Sequence, residues 1–245
     1  TGRSRLLYSV ANRADRGVLH PHFSPDGKSL TWSEMIAAPS SVPGFEAGQW
    51  RLMMAPIAID PWVGLKLAGT PVQLAPGELT GVGPGFIENH GFTPNGKYIT
   101  FSANFESVAR GLPVTHRSDI YATESTLDAR SFGSVRLTST GYNEHGTIGY
   151  RGDRESLLAY MSTRWNPWWL SSLGMAGGTE FTLARYDGSE PCQLTHFNTP
   201  GYPEYLGFGA TAADLEWSRD GRRLVGYTHS SLGSNESIWV FDFND

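Results

Sequence analysis

Phe23-Ser-Pro-Asp-Gly-Lys-Ser-Leu-Thr-Trp-Ser33 decides the fold class, because it returns. It recurs as Phe92-Thr-Pro-Asn-Gly-Lys-Tyr-Ile-Thr-Phe-Ser102 and as Trp217-Ser-Arg-Asp-Gly-Arg-Arg-Leu-Val-Gly-Tyr227. A degenerate copy, Tyr150-Arg-Gly-Asp-Arg-Glu-Ser-Leu-Leu-Ala-Tyr160, carries extra residues in its turn. Each copy reads as a β-hairpin. An aromatic residue ends one strand, Asp-Gly or Asn-Gly supplies a tight turn, and an alternating apolar strand follows.

Two further markers follow each hairpin. Arg51–Ala55, Asp119–Thr123, Phe181–Arg185 and Ile238–Asp242 read as third strands. Val72-Gln-Leu-Ala75, Val135-Arg-Leu-Thr138 and Cys192-Gln-Leu-Thr195 read as short fourth strands. Four strands per unit, repeating at roughly 60–70 residues, fit the blades of a β-propeller. The expected fold is all-β, with four four-stranded blades in a single domain, 1–245. The units span about 18–75, 88–138, 143–195 and 213–245. The last unit lacks a fourth strand. Ser4-Arg-Leu-Leu-Tyr-Ser9, within an N-terminal strand over 1–10, resembles Val135–Thr138 and is expected to complete it. That would close the ring and remove its open edges. Otherwise the four units form part of a larger propeller.

The run Phe-Ser-Pro-Asp-Gly-Lys, then Ile-Tyr at 120–121, then Arg-Leu-Thr at 136–138, resembles the TolB-like β-propeller repeat. The resemblance covers nearly the whole chain. It implies binding and scaffolding roles, often outside the cytoplasm, so a periplasmic or extracellular location is expected, with the cytoplasm as the alternative. Members commonly have six to eight blades, and only four units occur here. Some enzymes carry such propellers as accessory domains, and certain lyases use them as the catalytic fold. No catalytic motif of those enzymes is matched.

Composition narrows the classes. The net charge is -5, and no basic run is present, which disfavours a nucleic-acid partner. One cysteine, Cys192, excludes an internal disulfide and a thiolate zinc site. No stretch approaches the ~18 apolar residues of a transmembrane helix. The start Thr1-Gly2-Arg3 fits a cleaved signal peptide, and equally a boundary within a longer chain.

Propellers bind ligands at the channel mouth, beside the innermost strands. Aligning the units there places His20, Asn89, Glu144 and Asp214 in one column. Pro21, His90, His145 and Leu215 form the next, followed by His22, Gly91, Gly146 and Glu216. Four of the seven histidines fall in these columns. Imidazoles beside carboxylates suit a divalent metal, with His20, His90 and His145 as candidate ligands, or acid–base work. The competing reading is a channel lining hydrogen-bonded to backbone and water. Asp26-Gly27, Asn95-Gly96 and Asp220-Gly221 are read as turn residues rather than ligands.

The insertion Thr163–Gly178 contains Trp165, Trp168 and Trp169. Exposed, they would offer a platform to a protein or a sugar. Folded back, they would cover a blade edge. The expected function is therefore a non-catalytic scaffold that binds a protein, or a subunit of a larger assembly. The alternative is a glycan- or small-substrate-binding protein, or an enzyme of lyase or hydrolase type, using the channel-mouth residues with or without a divalent metal. A third reading is an accessory propeller of a peptidase or hydrolase.

Overall fold

The computed structural model describes residues 4–74, 85–127, 133–149, 156–167, 172–230 and 236–243. The chain is all-β, and its antiparallel sheets follow one another along the sequence. The first holds β1 (Gly17–Phe23), β2 (Ser29–Ala37), β3 (Gln49–Asp60), β4 (Gly64–Leu67) and β5 (Val72–Leu74). The second holds β6 (Ile87–Phe92), β7 (Tyr98–Ala103), β8 (Asp119–Glu124) and β9 (Ser134–Arg136), with one short helix, α1 (Phe105–Arg110), between β7 and β8. The third holds β10 (Asn143–Gly149), β11 (Leu157–Ser162), β12 (Glu180–Arg185) and β13 (Cys192–Gln193). The fourth holds β14 (Ala210–Trp217), β15 (Arg223–Ser230) and β16 (Glu236–Asp242). No helix among the described residues is long and apolar enough to cross a membrane.

The repeated turn explains its own sequence. Asp26 accepts hydrogen bonds from Ser24 Oγ at 2.7 Å and Lys28 N at 3.0 Å. Asn95 does the same with Thr93 and Lys97, and Asp220 with Ser218 and Arg222. The following glycine takes φ of 69° at Gly27, 70° at Gly96 and 65° at Gly221, a region that L side chains disfavour. These acids and amides are turn formers, as their spacing indicates.

Each sheet buries a face against its neighbour. Trp50, Leu52, Ile99, Phe101 and Tyr121 fill the gap between the first and second sheets. Ile120, Leu158 and Tyr160 join the second to the third. Phe181, Phe197, Leu215 and Trp217 join the third to the fourth. Stacking sheets this way places β1 against β6, and β10 against both β6 and β14. The four first strands therefore share one side of the molecule.

One expectation changes. Residues 4–10 form no strand and do not reach the fourth sheet. Leu7 and Tyr8 instead pack on the first sheet, against a cluster containing Trp32, Met53 and Ile57. Tyr8 donates its hydroxyl to Glu34 at 2.6 Å. The apolar pair Leu7-Tyr8 covers a sheet face, which is worth more than the backbone pairing its pattern suggests. The fourth sheet accordingly has three strands among the described residues. In the first sheet β3 runs on to Asp60 and pairs with β4.

Candidate functional site

The first strands all break register at the same level. A β-bulge falls between Leu19 and His22, between Asn89 and Gly91, between Glu144 and Thr147, and between Ala213 and Leu215. Bulges re-aim side chains, and here four of them face one another. The corresponding pairs beyond the bulges are Phe23 with Leu30, Phe92 with Ile99, Ile148 with Leu158 and Trp217 with Leu224; in the third sheet Gly149 with Leu157 follows. Ile148 thus stands opposite Leu158 as Phe23 stands opposite Leu30, and Tyr150 lies outside the described residues.

This corrects the alignment of the third unit. His145 stands level with His20, Asn89 and Asp214, and Glu144 stands level with Glu88. Backbone angles agree. His20, His145 and Asp214 have φ of 48°, 54° and 47°, while the second sheet places its left-handed residue at Gly91, φ 88°. Left-handed conformations cost free energy in residues other than glycine, and they gather where a fold holds a site in shape.

The bulges converge on a cavity of about 200 Å³ lined by His20, His22, His90, His145, Asp214 and Glu216. Glu88 and Glu144 lie buried at its base. His20 Nε2 meets Glu88 Oε1 at 2.9 Å. His145 Nδ1 meets Asp214 Oδ1 at 3.1 Å, and its Nε2 lies 3.9 Å from Glu144. His90 Nε2 is 2.5 Å from Ser102 Oγ, and the His90 and His145 ring centroids are 5.4 Å apart. Tyr142 donates its hydroxyl to Glu144 at 2.8 Å.

Electrostatics divide these groups. Burial drives His90 down to about 3, so its imidazole is neutral near pH 7. Burial opposes the charged form of His145 too, but Asp214, Glu88 and Glu144 outweigh it and lift it to about 9. The hydrogen bond to Glu88 raises His20 against a smaller burial penalty. His22 falls through burial and the nearby His20. The two glutamates separate. Glu88 resists its burial because His20 and the His90 and His145 rings favour its anion, holding it near 2. Glu144 is pushed up to about 7 by burial and by the Glu88 charge. The two neighbouring carboxyls are thus pushed in opposite directions, Glu88 down and Glu144 up.

Asn89 is buried and acts on the backbone. It donates Nδ2 to His20 O at 2.7 Å and accepts Gly91 N, joining the first two bulges. Glu216 lines the cavity wall, and burial raises it. Trp165 is half-buried and donates Nε1 to Thr182 Oγ1 at 2.8 Å. Trp168 and Trp169 lie outside the described residues. Glu88 is the candidate site residue that the column alignment undervalues. A third unit shifted by one residue would have set it opposite Glu144.

No protein-family model matches the sequence, and no curated protein matches it. Solved structures do. A puromycin hydrolase S511A mutant is similar over 94% of this chain at 17% identity and TM-score 0.51. A puromycin-hydrolysing peptidase of Mycobacterium tuberculosis is similar over 98% at 14% identity and TM-score 0.53. The sialidase of Trypanosoma rangeli is similar over 95% at 11% identity and TM-score 0.52. The chain spans only 27%, 29% and 38% of those three proteins. At such identities the likeness extends to the fold alone, an array of antiparallel sheets.

Proposed function

We propose that the chain is a β-propeller of the TolB-like repeat type, or the greater part of one, and that it binds a small polar ligand where its first strands meet. The observation that carries this reading is the convergence of four bulges on one cavity. Packing alone needs no left-handed histidine, and two are present. The cavity is below the ~300 Å³ of an ordinary drug-sized pocket, which suits one sugar unit or a smaller ligand. Cationic His145 and anionic Glu88 can each hydrogen-bond a hydroxylated molecule. The test is imidazole NMR with neutral and acidic monosaccharides. Saturable shifts of His20, His90 or His145 are expected, and silence across the panel would overturn the reading.

A scaffold or subunit role has its own support. The outer strand β16 exposes Ile238 and Val240, at 77% and 59%. Among the described residues β16 is the edge of its sheet, and an apolar edge of this kind fits a strand added by a protein partner. Replacing both residues with Lys would weaken such a partnership and leave the cavity intact.

A further inference from the structure

We propose that Glu88, His90 and His145 bind one divalent transition-metal ion, of the zinc type, at the base of this cavity. The inference rests on the ligand-site reading above and names an ion at its centre. One donor atom from each of the three residues lies within 4.8 Å of the others. Tetrahedral zinc, with bonds of about 2.0–2.1 Å, holds its donors about 3.4 Å apart, so modest side-chain rotations close the gap.

The surrounding contacts are those that a metal site needs. An imidazole ligand coordinates through one nitrogen and gives its other to a partner that fixes ring and tautomer. His145 gives Nδ1 to Asp214, which leaves Nε2 for the ion. His90 gives Nε2 to Ser102, which leaves Nδ1. Glu88 is steadied by His20 through Oε1. Each of the three donors thus has a separate orienting partner. Two come from the bulged strand β6 and one from β10, so the adjoining bulges themselves assemble the triad.

The donor set selects the class of ion. Two imidazoles and a carboxylate suit zinc and its neighbours, whereas calcium and magnesium take oxygen ligands. Three protein donors also leave a coordination position facing the cavity, as in zinc sites that handle a ligand. Glu144, held by Tyr142, lies 3.9 Å from His145 Nε2, next to the donor set. It can hydrogen-bond a water or a hydroxyl bound there.

The test is zinc titration of chelator-treated protein by calorimetry, with Co²⁺ absorption as a second measurement. We expect one Zn²⁺ per chain, at least tenfold weaker binding in Glu88→Gln, and loss in His90→Ala and His145→Ala. We also expect the intense visible bands of tetrahedral Co²⁺, which need no variant and so survive any folding defect. His229→Ala, exposed on β15 and outside the cavity, should bind normally. No stoichiometric ion, or binding unchanged in both histidine variants, overturns the proposal. Should monosaccharides still shift the imidazoles of metal-free protein, only the metal fails; if neither binds, the ligand-site reading fails with it.

Discussion

Asp214 and His145 form a hydrogen-bonded pair across the third and fourth sheets, Oδ1 to Nδ1 at 3.1 Å, and each sits at a left-handed bulge position. The pair fixes which imidazole nitrogen faces the cavity. It also supports the imidazolium, which is held up at about 9. Asp214 is 65% exposed at its side chain, so solvent screens part of its effect. In the metal-free protein, Asp214→Asn should lower the His145 midpoint by about one pH unit. Carbon-bound imidazole proton shifts, followed from pH 5 to 10, report it directly. An unmoved midpoint would mean that Glu88 and Glu144 support the charge without Asp214.

The bulge of the second sheet depends on Gly91. Its φ is 88°, and a Cβ there would stand 2.9 Å from the His22 ring. Gly91→Ala combines backbone strain with a clash, so it should cost about 2–3 kcal/mol. Gly27→Ala is the comparison. Its φ of 69° is also left-handed, but nothing lies within 4 Å of the added methyl. That variant should lose only about 1 kcal/mol. Chemical denaturation of both separates the two contributions, and equal losses would show that His22 yields freely.

Much of this architecture is legible in the sequence, and the reason is local. The Asp-Gly and Asn-Gly turns fix hairpin register within a few residues, so the strand pairs around Gly27, Gly96 and Gly221 follow from pattern alone. The site is less legible because one residue of register changes which side chains face each other. The sequence pattern aligns Tyr150 with Phe23, yet Ile148 is the residue that stands opposite Leu158 as Phe23 stands opposite Leu30. That single offset hides the Glu88 and Glu144 pair and separates His145 from His20. The placement of Leu7 and Tyr8 escapes local reading for a different reason. A short apolar segment can extend an edge or cover a face, and only the exposed face of the first sheet decides which.

The fourth-strand motifs have a role that their brevity conceals. Thr195 Oγ1 donates to Glu180 Oε2 at 2.8 Å and accepts Phe181 N at 2.9 Å. Thr138 repeats this with Asp119 and Ile120, at 3.1 and 2.9 Å. Each threonine joins the end of its short strand to a buried acid that opens the third strand. Thr195→Val leaves a buried amide and a carboxylate oxygen each short of a partner, so it should cost about 2–3 kcal/mol. Thr195→Ser keeps the hydroxyl and should cost under about 1 kcal/mol. Equal losses in the two variants would assign the effect to the methyl group instead.

Asp119 gives stability a pH dependence of definite sign. Burial raises its carboxyl to about 6, although Arg136, Thr138 and Asn143 all favour the anion. An acid whose folded midpoint lies above its unfolded one stabilises the fold while protonated. That contribution is fully present below about pH 4 and is lost as the pH rises through 6. A displacement from 3.8 to about 6 corresponds to something on the order of 3 kcal/mol. Glu180 is raised as well, so the total pH profile mixes the two acids. The difference between wild type and Asp119→Asn isolates one of them. Measured by denaturation, the stability of the wild type relative to this variant should fall between pH 4 and 6 and level off above 7. A relative stability that rises over that interval would show instead that the Arg136 ion pair, at 2.5 Å, overcomes the burial of the carboxylate.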